Sequence, residues 1–556
     1  MKKMFILITI FILNIFFFNN SIFCAENIKE WEVFEIKLMA KNSYKNPYIE
    51  GLPDNEEGLV RVNFTGLSGK AKGMNYEITG FWDGGQIWKV RFAPPASGEW
   101  SYISRSIDSG LNNIKGTFRC EGWTEQEKNE NPIRRGFISV CKTGERSGRY
   151  FEYSDGAPFL WIGDTWWNWT KRGINFSSFK KLADDRAQKG FNIGQLFVAA
   201  NGWGRISSLL DAKFDNLDIE HMQNVEKMIE YANSKGITVW VHGWWSRENL
   251  NERASPEKMR RWWKYLIHRL GAYNVIWILA GEYNMNNYGG FGLNFWKELG
   301  KMVKEEDPYK RIVGVHPTPP TWRGGIDAPQ WSTGEVLHQE DWLDYNQSQV
   351  GHGRMNNELI PDIITSEYKR KPPKPVVVTE PWYEFILGNP SDEHIRFGGW
   401  SAILSGAAGH TYGGGHVWKA HVPEAPAPKD NWPMDMSFET NTLDYPGAVS
   451  IGYMAKFFKN IKWWELEPHP ELVLEYPEKY CSAVPGKEYV VYLRYGGSVK
   501  LNLKDSSSDV IFNYRWFNPR IGKYENSGKI SGGNIQRFQA HDYSDNDWVL
   551  HLSVEK

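Results

Sequence analysis

The chain has 556 residues, more than one compact domain usually holds, and its 65 Lys and Arg against 66 Asp and Glu leave a formal net charge of -1. This balance argues against nucleic acid or another polyphosphate as a partner, because such ligands require a basic surface. A mean hydropathy of -0.53 excludes a polytopic membrane protein. The 28 Trp residues are the unusual feature, and they must either fill cores or offer flat faces to a ligand.

Residues 1–25 have the pattern of a secretory signal peptide. Lys2 and Lys3 form a basic start, an apolar run follows over residues 4–18, and cleavage is expected near Ala25. The run is shorter than the ~20 residues that a membrane span needs, so a single membrane anchor is the less favoured alternative. No later stretch is long and apolar enough to span a membrane. The pattern therefore predicts a secreted or periplasmic protein.

Cys24 offers a second alternative, a lipid-modified N-terminus. Ile22 and Phe23 argue against it, because the position before a lipid-modified Cys normally holds a small residue. Three cysteines remain beyond this point, Cys120, Cys141 and Cys481. They are too few for a disulfide framework, and their spacing fits no zinc motif.

Residues 26–125 alternate apolar and polar side chains with the period of β-strands. The alternation is clearest at residues 31–36, 87–92 and 100–103, and turns rich in Gly and Pro separate these segments. Period-two patterning with frequent turns predicts an N-terminal β-sandwich. Residues 126–144 are expected to form a linker, because they lie in and after a strongly charged stretch.

Residues 145–460 alternate short apolar runs with amphipathic helical segments. The predicted strands are 159–162, 193–197, 237–241, 275–279, 312–315 and 376–378. Strand–helix units repeated over about 300 residues predict a (β/α)8 TIM barrel. A doubly wound sheet is the competing fold, but it would need a Gly-rich phosphate turn after an early strand, which residues 163–167 do not supply.

Residues 461–556 return to strand patterns, as at 489–494, 513–517 and 548–552. We therefore expect a small C-terminal β-sandwich after the barrel. The fold class predicted for the whole chain is α/β, with a (β/α)8 TIM barrel flanked by an N-terminal β-sandwich and a small C-terminal β-sandwich.

Two carboxylates follow apolar strands of the predicted barrel. Glu282 comes shortly after strand 275–279, Glu380 comes shortly after strand 376–378, and the two are 98 residues apart. At roughly 31 residues per strand–helix unit, this spacing puts them at the ends of strands four and seven, where barrel active sites lie. Glycoside hydrolysis uses such a pair, with one carboxyl group protonated and the other ionised. A helix cap or a surface charge is the alternative role for either Glu taken alone.

Other predicted strand ends are rich in aromatic and polar side chains, which suit a carbohydrate ligand. Indole and phenol rings stack on the C–H faces of sugars, whereas Asp, Gln and His bind hydroxyl groups. The predicted substrate-binding residues are Asp164, Trp166, His242, Trp244, Gln349, His352, Trp382, His410 and Tyr412. Core packing is the alternative role for each indole taken singly, so the prediction depends on their clustering at strand ends.

Several other chemistries lack their motifs. The chain has no H-E-x-x-H helix, no G-x-S-x-G turn and no His-x-His after strand one. We therefore predict no metal and no cofactor. Two alternatives stay open: a metal-dependent barrel hydrolase, for which His316, His352, His410 and His416 would be the ligands, and a non-catalytic carbohydrate-binding surface protein on a barrel scaffold.

Five motifs occur in the order known from one family. They are Gly-Asp-Thr-Trp-Trp at 163–167, Trp-Ile-Leu-Ala-Gly-Glu at 277–282, Gln-Val-Gly-His at 349–352, Thr-Glu-Pro at 379–381 and the segment 405–413. They resemble the apiosidase-like glycoside hydrolases, a family of clan-A-type (β/α)8 barrels found mainly in secreted bacterial proteins. Segments 80–84, 88–92 and 98–102 resemble the β-sandwich that often precedes such barrels, and the last domain is similar to the small β-domain that often follows.

The resemblance implies a role for each carboxylate. Glu282 would be the acid/base and Glu380 the nucleophile of a retaining mechanism, for which the two carboxyl groups should lie about 5–5.5 Å apart, against about 6.5 Å or more for inversion. Characterised apiosidases usually carry Asp where this chain has Glu282, so the resemblance does not fix apiose as the sugar. The expected substrate is a plant or algal polysaccharide or oligosaccharide.

Overall fold

The computed structural model describes residues 28–48, 59–171, 173–198, 216–245, 254–320, 330–420, 442–540 and 546–555. The predicted signal peptide and Cys24 lie outside these residues. Within them, no helix combines the length and the apolar character that crossing a membrane requires. The thiols of Cys120, Cys141 and Cys481 are buried and unbridged.

Two facing sheets form the N-terminal domain. Its strands are β1 (Ile28–Lys29), β2 (Phe34–Tyr44), β3 (Arg61–Gly66), β4 (Asn75–Thr79), β5 (Phe81–Trp82), β6 (Gly85–Phe92), β7 (Gly98–Arg105) and β8 (Lys115–Glu121). They assemble in the orders β1-β8-β7-β3-β4 and β2-β6-β5. Phe34 stacks on Phe118 at 4.1 Å between ring centroids, and Phe64 stacks on Phe92 at 4.3 Å, so aromatic rings join the two sheets. The period-two pattern correctly predicted this β-domain.

The segment predicted as a linker is folded. Helix α1 (Glu125–Glu130) begins with a capping box between Thr124 and Glu127, and the small antiparallel sheet of β9 (Ile138–Val140), β10 (Phe151–Tyr153) and β11 (Pro158–Phe159) follows. Arg135 donates to Asp155 at 2.8 Å, which ties the two parts together. The charges of this stretch therefore serve as a helix cap and an ion pair.

Eight parallel strands form the barrel. They are β12 (Trp161–Trp166), β13 (Ile193–Phe197), β14 (Thr238–His242), β15 (Val275–Ile278), β16 (Val313–Gly314), β17 (Asn346–Gln349), β18 (Val376–Glu380) and β19 (Gly409–Tyr412). The sheet order β16-β15-β14-β13-β12-β19-β18-β17 runs nearly full circle. The edge of β17 that faces β16 pairs with residues 331–333, where Thr333 N donates to Gln347 O at 3.0 Å. The prediction of a (β/α)8 barrel is confirmed, and β15 and β18 are its strands four and seven.

Helices surround the barrel. They are α2 (Phe176–Lys189), α3 (Ile219–Ser234), α4 (Pro256–Leu270), α5 (Met285–Gly289), α6 (Leu293–Glu306), α7 (Gly334–Leu337), α8 (Arg354–Asn357), α9 (Ile360–Tyr368), α10 (Asp392–Leu404) and α11 (Pro446–Lys459). The side chains of Asn175, Asp218 and Ser255 accept backbone N–H groups at the starts of α2, α3 and α4. These caps satisfy donors that the first helical turn leaves unpaired and fix where each helix begins.

Large aromatic side chains fill the barrel interior. Trp161, Trp240 and Tyr345 are fully buried there, and Trp240 Nε1 donates to Tyr345 Oη at 2.9 Å. Trp161 Nε1 donates to Thr411 Oγ1 at 3.1 Å. Because every indole N–H of this layer has a partner, the rings form a rigid floor beneath the carboxyl ends of the strands.

The C-terminal domain contains β20 (Glu467–Pro468), β21 (Val473–Glu475), β22 (Tyr480–Val484), β23 (Glu488–Leu493), β24 (Ser498–Asn502), β25 (Ile511–Asn518), β26 (Lys523–Ser531), β27 (Ile535–Gln539) and β28 (Trp548–Val554). They assemble into a six-stranded sheet, β20-β22-β23-β28-β25-β26, and a three-stranded sheet, β21-β24-β27. The larger sheet docks on the barrel helices, where Tyr492 stacks on Trp400 of α10 at 6.1 Å and Phe517 meets Phe457 of α11 at 5.0 Å.

Buried ion pairs join the N-terminal domain to the barrel. Arg91 of β6 pairs with Glu226 of α3, and Arg269 of α4 pairs with both Glu226 at 2.6 Å and Asp83 at 2.7 Å. All four side chains are almost completely buried. Buried charges are tolerated only when each has a partner, so this network constrains how the sandwich sits on α3 and α4.

Candidate active site

The chain extends the pairing of β15 and β16 beyond the strands themselves, up to Glu282. His316 N donates to Ala280 O at 3.0 Å, and Tyr283 N donates to His316 O at 3.0 Å. Glu282, between these two bonds, has a φ of 46°, in the left-handed region that only Gly adopts without cost. The continued ladder holds this strained residue at the barrel mouth beside His316.

Glu380 is the last residue of β18, and two histidines hold its carboxylate. His316 Nε2 donates to Glu380 Oε2 at 2.9 Å, and His352 Nε2 donates to Oε1 at 3.2 Å. The other nitrogen of His316, Nδ1, lies 3.1 Å from Thr379 Oγ1, which fixes the ring in place. Burial would raise the pKa of Glu380, but the hydrogen bonds from the two histidines lower it to about 2. Glu380 is therefore a buried carboxylate that stays ionised at neutral pH.

Glu282, unlike Glu380, is partly exposed. Trp245 Nε1 donates to its Oε2 at 2.8 Å, and Gln349 Nε2 approaches its Oε1 at 3.5 Å, a long contact for a hydrogen bond. Gln349 is also the neighbour of Glu380 in the register of β17 and β18. The amide that touches Glu282 therefore projects from a residue directly beside Glu380, so the two carboxylates share one mouth.

Aromatic rings line the same mouth. Trp167 lies 5.5 Å from Trp245 and 6.0 Å from His316 between ring centroids, and His242 lies 5.0 Å from Trp245. Trp167 Nε1 donates to Tyr383 Oη at 2.8 Å, which fixes the position of both side chains. These rings give the mouth the flat apolar surfaces that sugar rings stack on.

Tyr383 stands next to the buried carboxylate. Its ring lies 4.4 Å from the ring of His352. Burial, and then the negative charge of Glu380, raise the pKa of Tyr383 well above its ordinary value. The phenol is therefore a neutral group at any pH at which the protein is used.

His242, the last residue of β14, has unused hydrogen-bonding capacity. Burial lowers the pKa of its imidazole well below the ordinary value, and the nearby His316 lowers it further, so the ring is neutral at pH 7. Neither ring nitrogen has a hydrogen-bond partner among the described residues. A Cβ on Gly281 would lie only 2.2 Å from His242 Cε1, so a glycine is required for the ring to lie against this backbone. Because the ring is fully buried, it lies beneath the aromatic lining of the mouth, against Trp245.

Asp164 and Trp166 lie on the outer face of β12, between the barrel wall and α2. Asp164 Oδ2 accepts from Arg186 Nε at 2.6 Å and from Trp166 Nε1 at 3.0 Å. The indole of Trp166 packs against Phe179 of α2 at 5.6 Å. Burial raises the pKa of Asp164 and the Arg186 charge opposes the rise. The structure therefore does not bring these two predicted substrate-binding residues to the mouth.

His410 and Tyr412 lie on the outer face of β19. His410 faces α10, where a Cβ on Gly398 would lie 3.6 Å from its Cε1, and burial lowers its pKa to about 3. Tyr412 Oη donates to Glu384 Oε2 at 2.7 Å, outside the barrel wall. Neither residue is at the mouth.

The remaining two indoles predicted to bind substrate, Trp382 and Trp244, lie in loops whose backbone they help to hold. Trp382 Nε1 donates to the carbonyl oxygens of Ile386 at 3.2 Å and Leu387 at 3.0 Å, which folds back the loop after β18. Trp244 is buried, and its carbonyl oxygen accepts from Gly281 N at 2.8 Å. Both contacts support the loops that carry the two carboxylates.

Among the residues that the structure describes, nine side chains thus meet at the mouth, and the sequence predicts only some of them. Glu282, Glu380, His242, Gln349 and His352 are the predicted residues that the structure brings together. Trp167, Trp245, His316 and Tyr383 were not among the predicted site residues. His316 directly follows the predicted strand 312–315, so the position after a strand end was an available signal for it. Each of the other three follows a predicted site residue by one position.

The described residues contain no group of three or more side chains arranged to hold a metal ion. Of the four histidines considered as ligands, His316 and His352 contact Glu380, whereas His410 faces α10. His416 forms a hydrogen bond with Tyr445. The four rings are therefore distributed over three different environments.

A model of the family described as "Apiosidase-like, catalytic domain" matches residues 145–465, more than half of the chain. The chain belongs to this apiosidase-like family. A domain of unknown function (DUF5060) matches residues 27–107, and a family described as "Putative collagen-binding domain of a collagenase" matches residues 468–553. Among curated proteins, none matches this apiosidase-like chain.

Solved structures of similar fold include two proteins of Bacteroides vulgatus. One, described as a glycoside hydrolase, has a TM-score of 0.69 at 18% identity over 96% of this chain and 100% of its own. The other, described as a glycoside hydrolase of family 5, has a TM-score of 0.65 at 21% identity over 76% of this chain and 95% of its own. At these identities the likeness establishes the fold alone, a (β/α)8 barrel with flanking β-domains.

Proposed function

We propose that the protein is a retaining glycoside hydrolase in which Glu380 is the nucleophile and Glu282 is the acid/base. The observation that carries the proposal is the contrast between the two carboxylates at one mouth. Glu380 is buried and kept ionised by His316 and His352, whereas Glu282 is partly exposed and accepts a short hydrogen bond from Trp245. A retaining mechanism needs one group of each kind.

The geometry supports a double displacement. Glu380 attacks the anomeric carbon while Glu282 gives its proton to the departing glycosidic oxygen, so the C–O bond breaks as the glycosyl–enzyme ester forms. Glu282, now ionised, takes a proton from water, and the resulting hydroxide oxygen attacks the same carbon and releases Glu380. The two hydrogen bonds from His316 and His352 stabilise Glu380 as it leaves.

The proposed substrate is a plant or algal polysaccharide or oligosaccharide. Family membership and the ring surfaces of Trp167 and Trp245 support a carbohydrate. Glu282 is one methylene longer than the Asp usual at this position in apiosidases, so the proposal does not name apiose. We also propose that the protein is exported after cleavage near Ala25, which N-terminal sequencing of the mature protein tests.

Loss of turnover in Glu380→Gln is the direct test. The variant keeps the shape of the side chain but cannot form the ester, so kcat on an aryl glycoside or on a cleaved polysaccharide should fall by at least about 10³-fold. Glu305→Gln, exposed in the last turn of α6 and therefore at the end of the barrel opposite the mouth, is the matched control and should keep wild-type turnover. Turnover retained in Glu380→Gln would contradict the assignment, and a wild-type protein that binds glycans without turnover would support the non-catalytic alternative.

Product stereochemistry tests retention separately. The first anomer formed, followed by NMR during early turnover, should have the configuration of the substrate. Formation of the opposite anomer would overturn the nucleophile role of Glu380 and leave it the role of a general base.

A further inference from the structure

A second polar groove lies at the other end of the barrel. The C-terminal groove, as we define it, has its floor on the outer face of the six-stranded sheet, at Arg515, Asn513 and His551, and its wall at Lys462 after α11. Its volume is about 970 Å³, which is enough for several sugar units. Barrel helices run antiparallel to the strands, so the end of α11 lies at the face opposite the mouth. The groove is therefore separate from Glu282 and Glu380.

The floor of the groove belongs to the outer face of the six-stranded sheet, and this face is apolar where it contacts the barrel. Along β25, Phe512 and Trp516 point into the domain core, whereas Phe517 and Arg515 belong to the opposite face. Phe517 docks on α11, but Arg515, farther along the strand, is part of the groove floor. Arg515 is the register partner of His551, and Asn513 is the partner of Ser553, so the polar residues form two cross-strand rows. The face changes from apolar to polar where contact with the barrel ends.

Each acidic side chain of the groove has a hydrogen-bonding or ion-pair partner. Glu488 Oε1 accepts from His551 Nε2 at 2.9 Å, and Glu465 pairs with Lys462 at 3.0 Å. Glu555 pairs with Lys529. Glu465 and Glu555 are therefore neutralised by lysines, whereas Glu488, whose partner is an imidazole, keeps its negative charge.

Two cations of the groove have no anionic partner among the described residues, and one amide has no hydrogen bond. The polar contact of the Arg515 guanidinium is with His551 Nδ1 at 3.2 Å, an uncharged acceptor, and its other face lies 4.3 Å from the ring of Tyr524. Within the described part of the chain, Lys487 Nζ and the Asn513 side chain form no hydrogen bond or ion pair. The free groups of the groove are therefore hydrogen-bond donors with a net positive charge.

We propose that the C-terminal groove binds an anionic oligosaccharide, a chain of uronic acid units. An arginine fork recognises a carboxylate through paired N–H donors, and Lys487 supplies a second positive charge on the same floor. Asn513 and Ser553 offer hydrogen bonds to the hydroxyl groups of adjacent units. Binding in the groove does not depend on the chemistry at the mouth. A failure to bind there would leave the proposed hydrolase activity untouched, and a loss of that activity would leave the groove proposal untouched.

The test is calorimetric titration of the full chain with oligogalacturonate, alongside a neutral galactose oligomer of the same length. The wild-type protein should bind the oligogalacturonate and discriminate against the neutral oligomer by at least about tenfold in Kd. Arg515→Ala/Lys487→Ala should weaken oligogalacturonate binding by at least about tenfold, because two charge-assisted contacts are lost. Arg537→Ala/Lys504→Ala removes the same charge from the other sheet of the domain and should leave Kd within about twofold.

Additional measurements separate binding from folding and from catalysis. Lys487→Glu changes an exposed side chain that forms no hydrogen bond or ion pair with the described residues, so weaker binding with an unchanged melting temperature reports the changed charge. Turnover of a small soluble substrate should be unchanged in every groove variant. Failure to bind oligogalacturonate, equal affinity for the neutral oligomer, or equal weakening in both double variants would each overturn the proposal.

Discussion

At the scale of single residues, the ionisation of Glu380 depends on its two histidine donors. His316→Phe keeps a ring but removes the hydrogen bond to Oε2. Burial raises the pKa of Glu380 and this hydrogen bond lowers it, so the pKa should rise from about 2 in the variant. The nucleophile is then protonated at a higher pH, and the acid limb of the kcat/KM profile should move up by about one pH unit. His469→Phe, in the exposed pair with Glu471, is the control. An unmoved acid limb would contradict the role of His316.

Glu384 is a buried carboxyl group with the opposite shift. Burial raises its pKa to about 7, although the Tyr412 hydroxyl and the Gly447 N–H donate to it. The folded state therefore holds a proton that the unfolded state releases near pH 4.5, and stability should fall as pH rises from about 4.5 to about 7.

Glu384→Gln should remove this dependence. Its melting temperature should match that of the wild type below pH 4.5 and exceed it above pH 7. The corresponding gain in the free energy of unfolding above pH 7 is on the order of 3 kcal/mol. Thermal unfolding across this range measures it, with Glu393→Gln as control. Parallel pH curves for the wild type and Glu384→Gln would contradict the raised pKa.

At the scale of elements, the strand order was predictable from the sequence, but which strand side chains point into the barrel was not. Alternating strand and helix patterns located strands four and seven, and with them Glu282 and Glu380. Barrel strands are buried on both faces, so apolar residues continue without the alternation that would reveal which side chains point inward. The sequence pattern predicts Trp166 and Trp382 as substrate-binding residues. In the structure, it is Trp167 and Tyr383, one position later in each case, that face the mouth.

The neighbouring pair Trp166 and Trp167 makes this difference measurable. Trp167→Phe loses the hydrogen bond to Tyr383 and part of the mouth surface, so kcat/KM should fall by about tenfold with little change in melting temperature. Trp166→Phe loses the hydrogen bond to Asp164 behind the strand, so the melting temperature should fall by about 2–4 °C while kcat/KM is kept. The reversed pattern, with activity lost in Trp166→Phe, would mean that the outer residue contacts substrate.

At the scale of the whole molecule, the Trp surplus serves packing more than binding. Among the described residues, twelve Trp side chains are fully buried, and they are spread over the sandwich, the barrel and the C-terminal domain. Composition could show that the indoles needed an explanation. It could not divide them between core and mouth, because that division depends on long-range strand register.

The buried charges between the N-terminal domain and the barrel should make the two parts unfold together. Glu226→Ala leaves Arg91 and Arg269 without their shared partner in a buried site, so the free energy of unfolding should fall by about 3–5 kcal/mol. Chemical denaturation measures this change, and Glu220→Ala, an exposed residue of the first turn of α3, should have little effect. A Glu226→Ala variant as stable as the wild type would show that the network contributes no net stability.

The central claim is that Glu380 forms a covalent bond with the sugar. The most direct measurement is mass spectrometry of the protein after reaction with a 2-deoxy-2-fluoro glycoside that carries a good leaving group, of whichever sugar the enzyme accepts. We expect one added fluoroglycosyl group, found in the peptide that contains Glu380 and absent in Glu380→Gln. Inactivation with the label on another residue, or steady turnover with inversion and no label, would contradict it.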